Sequence, residues 1–316
     1  MSKLLTVIGA TGAQGGSVVA AALKSGVYKI RGVTRNVDSD ASKALVSKGV
    51  EMVTADVNDE SSLLLAFEGS HAVFAITNFF SSFAAHDAEE TIEIEAQQGI
   101  NLAKAASKTP SLRHYIWSSL PDNIKITDGK CRVPHFESKV KVDQFIKRDE
   151  DLLMKTTFLW MSYYSNNMVM PMMVPNLFRT SGKYLQVLPV ADDTPITTTG
   201  DIRINAGIYA LAVLDQLQLT LPGKIVLVEA ETRTTRDIIK LWSDVSGKPA
   251  EYCQISLDHY DNLWPKWGRE IGLTLQFWDA AREKSWTADQ PVLTKKDLGI
   301  SGLVGMKEVF SAVKWS

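Results

Sequence analysis

The sequence predicts an α/β fold in which a doubly wound parallel sheet carries a smaller, mainly helical C-terminal lobe. Short apolar runs alternate with helical segments through the first 160 of the 316 residues. Strands this apolar occur where helices cover both faces of a parallel sheet. A glycine-rich turn also joins the first apolar run to the first helical segment, as in sheets that bind nucleotides.

The first half of the chain, residues 1–160, is predicted to form the sheet domain. Each strand is a short run rich in β-branched and aromatic residues, and each helix shows apolar residues three or four positions apart. The predicted strands are Leu4–Ile8, Ile30–Thr34, Glu51–Ala55, Ala72–Ile76, His114–Trp117 and Thr156–Trp160. The predicted helices are Gln14–Lys24, Ala41–Lys48, Ser61–Phe67, Ala88–Ala106 and His135–Arg148.

The second half, residues 161–316, is predicted to be the smaller lobe, interleaved with the sheet. It holds a hairpin-like stretch at Ser181–Leu188, a helix over Ile202–Ala212, and a strand at Lys224–Glu229 that is expected to return to the sheet. The stretch Tyr163–Pro175 is apolar and rich in methionine and proline. With the tryptophans of the tail it forms either a large apolar pocket or the plain core of a small lobe.

Composition excludes several classes of protein. The chain is 45% hydrophobic and 22% charged, with a formal net charge of −2, so it shows no basic surface for nucleic acid or anionic membrane. Its two cysteines have no spacing with histidine that predicts a metal site, and they fit a reducing, cytoplasmic setting. No run approaches the length of a membrane span, and the N-terminal apolar run is too short for a signal peptide.

The strongest local motif is a glycine turn between the first strand and the first helix. It reads Gly9-x-x-Gly12-x-x-Gly15. Gly9 permits a tight turn, Gly12 lets a pyrophosphate approach the backbone, and Gly15 lets the helix pack on the strand. The alternative is a glycine-rich turn without a ligand, but its place at the head of a βαβ series favours a dinucleotide.

The ends of the second and third strands indicate which dinucleotide is bound. Arg35 follows the second strand, where an arginine favours the 2′-phosphate of NADP(H) and an acid would favour NAD(H). Asp56 and Val57 follow the third strand, where a carboxylate can meet the adenine amino group. Arg35 as a surface residue, and Asp56 as a turn or capping residue, are the alternatives.

An acidic run begins the fourth predicted helix. We expect it to complement the helix N-terminus and to face solvent, without binding metal. The run comprises Asp87, Glu89, Glu90, Glu93 and Glu95.

Four stretches together resemble the NmrA-like family of atypical short-chain dehydrogenases, in its fungal branch. They are G-A-T-G-A-Q-G from Gly9, A-I-T-N-F-F from Ala75, Y-I-W-S-S-L-P-D from Tyr115 and H-F-E-S-K from His135. The resemblance implies an NAD(P)-binding Rossmann fold and a cleft between the lobes for a substrate or a partner. It also implies divided function, because some members are enzymes and others are regulators that bind proteins.

Carried over by position, the resemblance implies a set of cofactor residues. Thr11, Gly12, Ala13, Gln14 and Gly15 would cradle the pyrophosphate, and Arg35 would meet the 2′-phosphate. Thr77 and Asn78 would flank the nicotinamide ribose, Lys139 would bind it, and Tyr163 to Asn166 would line the nicotinamide end.

The catalytic machinery departs from the pattern of a short-chain dehydrogenase. His135 stands four residues before Lys139, where such enzymes have tyrosine, and Leu120 stands where they have serine or threonine. His135, Lys139 and Tyr163 remain as the candidate catalytic residues. His135 is expected either to donate a proton or to play a structural or ribose-orienting role.

Two functions follow from these residues. The first is a fungal tailoring enzyme that transfers hydride from NADPH to C=O or C=N of a bulky apolar, alkaloid-like intermediate, with pocket-guided cyclisation or cycloaddition as a variant. An iminium carbon needs no strong proton donor, which fits the missing tyrosine. The second is an NADP(H)-sensing regulator that binds a protein partner. The enzyme is expected to be a monomer or homodimer, and an open aromatic cleft favours it over the regulator.

Overall fold

A computed structural model describes residues 3–315. All six strands and all five helices predicted in the first half are confirmed, with ends that differ by one or two residues. The strands are β1 (Lys3–Ile8), β2 (Tyr28–Thr34), β3 (Glu51–Thr54), β4 (Ala72–Ala75), β5 (His114–Ser119), β6 (Thr156–Met161), β7 (Tyr163–Tyr164), β8 (Asn176–Phe178), β9 (Lys183–Leu188), β10 (Pro195–Gly200), β11 (Lys224–Val228), β12 (Glu231–Thr234), β13 (Ala250–Gln254) and β14 (Val292–Leu293).

Helices connect these strands and cover both faces of the main sheet. The α-helices are α1 (Ala13–Ser25), α2 (Asp40–Val46), α3 (Glu60–Phe67), α4 (Phe79–Phe83), α5 (Ala88–Ser107), α6 (Asn123–Ile126), α7 (Pro134–Arg148), α8 (Glu150–Leu153), α9 (Ile202–Asp215), α10 (Leu217–Thr220), α11 (Thr235–Ser246), α12 (Leu257–Leu263), α13 (Trp267–Ala281) and α14 (Met306–Ser311). Short 3₁₀ helices cover Ser165–Val169 and Arg282–Trp286. Within residues 3–315, no helix has the length and apolar character needed to cross a membrane.

The main sheet has eight strands, in the order β14-β11-β6-β5-β4-β1-β2-β3, and each neighbouring pair is parallel. The chain runs outward from β1 through β2 and β3, and then returns to build the other side from β4. The strand order therefore reverses between β1 and β4. Ligands of open α/β sheets bind at such a switch point, beyond the carboxyl ends of the strands.

The second half of the chain completes this sheet. β11 pairs with β6 as predicted, and β14 extends the edge further. α9 packs closely on α1, because Gly207 brings its backbone against Ser17, whose Oγ accepts the Gly207 N–H at 2.8 Å. Residues beyond 160 are thus part of the helical layer that packs against α1.

The C-terminal lobe contains two small sheets, ordered β12-β10-β7 and β13-β9-β8, of which the sequence pattern indicated only a hairpin. The predicted hairpin exists, but its turn lies between Phe178 and Lys183 and its first strand is β8. The structure supports one of the two interpretations of the Met-rich stretch: the stretch forms part of the core of the lobe. Its buried members include Met168, Met173, Trp242, Phe277 and Trp278.

Candidate functional site

The glycine turn lies at the switch point with its outer face open to solvent. Gly9 has φ +65°, a left-handed conformation that favours glycine, and its carbonyl accepts the Gly12 N–H at 2.8 Å. Gly9, Thr11, Gly12 and Ala13 are all exposed. The turn is therefore shaped by the backbone, and its surface is available to a ligand.

The two later glycines of the motif, Gly12 and Gly15, have different structural roles. A Cβ on Gly15 would lie 2.2 Å from the Gly9 carbonyl oxygen, so α1 could not pack on the turn with any side chain there. A Cβ on Gly12 would lie 3.3 Å from the same oxygen, so the oxygen would have to move by only a few tenths of an ångström. Gly15 is required by the fold, whereas a side chain on Gly12 would extend over the exposed turn.

The N-terminus of α1 fits an anionic group. Its cap residue, Gly12, provides no side-chain hydrogen bond, and its first turn has no acidic residue. The backbone N–H groups of Ala13, Gln14 and Gly15 donate to no residue within 3–315. Unsatisfied amides at the positive end of a 13-residue helix form a site for phosphate. These residues fit the pyrophosphate of a dinucleotide.

Arg35 lies just past β2 and is exposed. Within the described chain it makes no hydrogen bond and no ion pair, in contrast to Arg31 on the same strand, which pairs with Glu51. The neighbouring Asn36 instead organises the turn into α2, since its side chain accepts the Asp38 N–H at 2.9 Å. The guanidinium of Arg35 is therefore uncommitted at the place where a 2′-phosphate is expected.

Asp56 lies past β3 and has a local structural role. Its Oδ1 accepts both the backbone N–H of Asn58 and the side-chain amide of Asn58, at 2.9 and 2.8 Å. Val57 is partly buried, and its carbonyl accepts the Asn101 amide at 3.0 Å. The turn function of Asp56 is thus present in the structure, and the adenine contact stays a prediction for both residues.

The Gln14 side chain is buried and hydrogen-bonded within the protein. Its side-chain amide donates to the Tyr164 hydroxyl, and its Oε1 accepts from Ser118 at 2.9 Å. Burial raises the pKa of Tyr164 to about 12. This polar chain joins α1, β5 and β7 beneath the glycine turn. The group of Gln14 that can bind a pyrophosphate is therefore its backbone N–H.

Lys139 sits in a buried polar network at the end of β4. Its ammonium donates to the Thr77 carbonyl at 3.0 Å and to the Thr77 hydroxyl at 2.6 Å, and it pairs with Glu95 at 3.0 Å. Glu95 also accepts from Thr77 at 2.8 Å and from Ser138. Since three acceptors already surround the ammonium, binding a ribose hydroxyl would require one of them to give way.

Glu95 corrects the expectation for the acidic run. Glu89, Glu90 and Glu93 are exposed or paired at the surface, but Glu95 is 1% exposed and holds Lys139. The burial of Glu95 could have been predicted from the helical period, because Glu95 falls on the same face of α5 as the buried Ile92 and Gln98.

Beneath Lys139 lies a second buried acid, Asp143, one helical turn further along α7. Its Oδ1 accepts from the Trp117 indole at 2.8 Å and from Ser119 at 2.7 Å. Burial raises the pKa of Asp143 to about 7. The Lys139 ammonium stands 4.9 Å from the centre of the Trp117 ring, so the two acids and the cation share one interior.

His135 is held by a residue from the other lobe. Its ring Nδ1 lies 2.5 Å from Glu270 Oε1, and its backbone N–H donates to the same oxygen at 3.1 Å. Glu270, in the first turn of α13, is 2% exposed. Nothing in the sequence pattern links these residues, because they are 135 positions apart.

Aromatic rings pack over His135. Phe80 lies 5.3 Å and Phe79 6.0 Å from the His135 ring, and Trp267 stacks on Phe80 at 5.8 Å. Phe83 meets Trp267 edge to face at 5.4 Å. We call Phe79, Phe80, Phe83 and Trp267 the aromatic cover. It joins α4, which follows β4, to α13 of the lobe, and it closes the place where an open aromatic cleft would favour an enzyme.

Asn78, Tyr163 and Asn166 occupy different surroundings. Asn78 is exposed at the start of α4, and its side chain makes no capping bond. The Tyr163 hydroxyl is buried without a partner among the described residues, in a small cavity with Gln186 and Trp278, and burial raises its pKa. Asn166 caps α9 by accepting the Ile202 N–H at 3.0 Å, beside a surface cavity of about 330 Å³.

The structure thus brings part of the predicted site together. The glycine turn, Thr77 and Lys139 all lie at the switch point, and Arg35 lies past the neighbouring strand β2. No hydrogen bond within residues 3–315 joins Tyr163 to His135 or Lys139, so its catalytic assignment stays a prediction. Within the same range, no cluster of His, Cys, Asp or Glu has the arrangement of a metal site.

An eight-stranded parallel sheet with an exposed glycine turn at its switch point defines an NAD(P)-binding Rossmann fold. The chain belongs to the NmrA-like family, whose family model matches residues 1–290. The resemblance seen in the sequence is confirmed.

Curated relatives include fungal oxidoreductases and a protein of Dictyostelium discoideum. It is 33% identical over 174 residues to the NmrA-like family domain-containing oxidoreductase hkm9 of Aspergillus hancockii, a match that covers 55% of this chain and 50% of the relative. It is 27% identical over 285 residues to an NmrA-like family domain-containing protein of Dictyostelium discoideum, covering 88% of each. The matches to the named oxidoreductases span about half the length of those relatives or less.

Solved structures share the fold at low identity. Nmra, described as a negative transcriptional regulator, aligns with a TM-score of 0.76 and 21% identity, over 99% of this chain and 96% of its own. The triphenylmethane reductase of Citrobacter sp., solved with NADP(H), aligns with a TM-score of 0.68 and 22% identity, over 97% and 98%. A regulator and a reductase therefore have the same architecture, and the fold does not choose between them.

Proposed function

We propose that this chain is an NADP(H)-dependent reductase of fungal, alkaloid-like secondary metabolism, which transfers hydride to C=O or C=N of a bulky apolar intermediate. One observation carries the cofactor part: the exposed glycine turn leads into a helix whose first amides are unsatisfied, with the uncommitted Arg35 past the adjacent strand. The fungal relatives named as oxidoreductases support the reductase part.

Each residue has a role in this proposal. The amides of Ala13 to Gly15 bind the pyrophosphate, and Arg35 pairs with the 2′-phosphate. Lys139 and Thr77 form the wall beside the nicotinamide ribose. The bound nicotinamide supplies a hydride, and the protein positions the acceptor carbon and keeps water away from it.

The proposed substrate follows from the aromatic cover. Phe79 and Phe80 lie against His135, and Phe83 and Trp267 pack behind them; such rings bind flat, apolar molecules and stabilise a cation above their faces. An iminium substrate fits both properties. Cyclisation or cycloaddition guided by the same surface is part of the proposal, because it needs orientation more than acid–base chemistry.

A regulatory protein is the second candidate, and a specific observation favours it. The aromatic cover is packed shut, with Phe79 and Phe83 nearly fully buried. Leu177 and Phe178, by contrast, expose about half of their surface on the edge strand β8, as a protein-binding patch would. In this reading NADP(H) occupancy would change the affinity for a protein partner without catalysis.

Titration and turnover separate the candidates. Wild-type protein is titrated calorimetrically with NADPH, and NADPH oxidation is then followed with phenanthrenequinone and with a dihydroisoquinolinium ion. The proposal expects binding and oxidation of NADPH that depends on at least one acceptor. Tight NADPH binding without turnover of either acceptor would favour the regulator, and absence of NADPH binding would defeat both.

A further inference from the structure

The pairing of His135 with Glu270 has a consequence for where a proton can move. Both donors of His135, the backbone N–H and the ring Nδ1, meet one oxygen of Glu270 at 3.1 and 2.5 Å. A carboxylate only accepts hydrogen bonds, so the ring nitrogen that faces it must carry a proton. The other ring nitrogen, Nε2, is then the one that can gain or lose a proton.

The surroundings of Nε2 agree with that role. It makes no hydrogen bond within residues 3–315, and it is absent from the fully buried polar atoms that lack a partner. The His135 side chain is 14% exposed, at the inner edge of the aromatic cover. Nε2 is therefore unpaired and not fully buried, whereas Nδ1 is hydrogen-bonded to Glu270.

Glu270 is itself well fixed. It is 2% exposed, lies in the first turn of the 15-residue helix α13, and its carbonyl accepts from Thr274 at 3.1 Å. Burying a carboxylate is costly unless it meets a donor or a cation, and within the described chain its side chain meets only His135. The backbone N–H and the ring N–H of His135 are therefore the donors that satisfy this buried carboxylate.

We infer that Glu270 is a positioning residue: it holds His135 with the proton on Nδ1, and makes Nε2 the proton donor of this atypical site. This rests on the proposed reductase function. When the carbonyl carbon accepts hydride, the π electrons of C=O move to the oxygen. That oxygen takes the proton from Nε2, and the imidazole is left neutral with Nδ1–H on Glu270. In Ser-His-Asp hydrolases a buried carboxylate holds the catalytic imidazole in one tautomer in the same way.

An iminium substrate provides an internal control. Its carbon accepts hydride to give a neutral amine, and no proton is transferred in that step. Loss of the Glu270–His135 pair should therefore affect reduction of a carbonyl and spare reduction of an iminium. A purely structural contact between the lobes would affect both substrates alike.

Three variants distinguish loss of the negative charge, loss of the hydrogen-bond acceptor and nonspecific damage to the protein. Glu270→Gln keeps an acceptor, because the fixed backbone N–H of His135 orients the amide oxygen toward it, but it removes the negative charge. Glu270→Met removes the acceptor as well. Glu137→Gln is the matched control, since Glu137 lies on the same helix as His135 and pairs with Arg132 near the surface.

The first measurement is the ¹⁵N NMR spectrum of histidine-labelled protein at alkaline pH, which distinguishes protonated from bare ring nitrogens; the chain has 5 histidines. His135→Gln identifies the signal. We expect Nδ1–H in wild type, Glu270→Gln and Glu137→Gln, and a shift toward Nε2–H in Glu270→Met. A wild-type His135 with bare Nδ1 would overturn the inference, whatever the protein does with NADPH.

The second measurement is turnover with saturating NADPH. For phenanthrenequinone we expect kcat to fall about 10- to 100-fold in both Glu270 variants, with little change in KM for NADPH. For the dihydroisoquinolinium ion we expect a change of less than about threefold. Equal losses on both substrates would overturn the proton-donor role. An inactive wild type whose NMR signal shows Nδ1–H would instead remove the reductase proposal and the donor role, and leave the tautomer assignment standing.

Discussion

At the residue scale, the proposed preference for NADP(H) rests on one side chain. Arg35 is exposed and has no partner in the described chain, so its replacement should not disturb the fold. A charge-assisted contact with phosphate contributes about 1.5–3 kcal/mol, or roughly 10- to 150-fold in affinity. We therefore expect Arg35→Ala to weaken NADPH binding by that factor and to leave NADH binding unchanged, as measured by calorimetry. Equal affinity of wild type for both cofactors would contradict the assignment.

The glycine turn allows a sharper test, because its glycines have separable roles. Gly12→Val should keep the fold and abolish NADP(H) binding, since its branched side chain takes the space of the pyrophosphate. Gly15→Ala should lower the thermal midpoint, since its Cβ would lie 2.2 Å from the Gly9 oxygen. Gly16→Ala is the control, with its closest Cβ contact at 3.4 Å. Normal NADPH binding by Gly12→Val would place the phosphate cradle elsewhere.

At the residue scale, the sequence predicted where several site residues lie in the fold, and the positions that it could not predict have a common cause. The glycine turn and Arg35 were predicted from their positions after β1 and β2, and Lys139 from the family resemblance; their roles toward a cofactor stay predictions. Glu270 was not, because only tertiary packing brings α13 to His135. Tyr163 was assigned from its place after β6, yet its hydroxyl turns into the lobe, a direction that strand position alone does not give.

At the scale of elements, α7 carries a row of ionisable groups, and Lys139 is its central member. Lys139→Met would leave the buried Glu95 carboxylate without its cation, which costs about 3–5 kcal/mol. The double variant Lys139→Met/Glu95→Gln should recover part of that loss in urea unfolding. Lys141→Met is the control, because Lys141 pairs with the exposed Glu93 and such pairs contribute about 1 kcal/mol or less.

The double variant also tests the ribose contact without the complication of a damaged fold. We expect it to bind NADPH more weakly than wild type by roughly tenfold, the loss of about one hydrogen bond to a charged group. Unchanged affinity would mean that Lys139 serves only to anchor Thr77 and Glu95 at the end of β4.

Asp143 makes the stability of α7 depend on pH. Its pKa is about 7 in the folded protein against an ordinary 3.8, so between these values the folded state binds more protons than the unfolded state. This group's contribution to stability is therefore greatest at low pH, falls as pH rises from about 4 to about 7, and is constant above. Asp143→Asn keeps acceptors for Trp117 and Ser119 and removes the titration.

The measurement is the difference in unfolding free energy between Asp143→Asn and wild type, taken from urea titrations across that range. We expect the difference to move in favour of Asp143→Asn as pH rises, by on the order of 1–4 kcal/mol in total. A difference that does not change with pH would show that Asp143 ionises normally.

Elements were predicted better than their assembly. Periodicity located the strands and helices of the first half, because each depends on neighbours a few positions away. The small sheets of the lobe depend on pairings such as β9 with β13, whose partners lie more than sixty residues apart. Tertiary packing decides such pairings, so local pattern cannot reveal them.

At the scale of the whole molecule, one helix contact joins the two halves of the chain. A Cβ on Gly207 of α9 would lie 2.2 Å from the Ser17 carbonyl of α1. Alanine is the better helix former by about 1 kcal/mol, so Gly207→Ala would stabilise an unpacked helix. We expect the reverse, a loss of about 1–3 kcal/mol in urea unfolding, together with weaker NADPH binding through the displaced α1. Stabilisation would show that the helices do not approach so closely.

The return of β11, β14 and α9 to the first half means that the chain cannot be cut into a nucleotide-binding part and a lobe. A fragment ending at residue 160 would expose the edge of β6 and the bare face of α1, two surfaces that invite aggregation. NADP(H) bound at the glycine turn would accordingly stabilise residues far from it, because any ligand of the folded state stabilises the whole cooperative unit. NADP(H) binding and the folding of the lobe are then thermodynamically coupled. A fall in cellular NADP(H) would therefore make the entire protein more vulnerable to proteolysis.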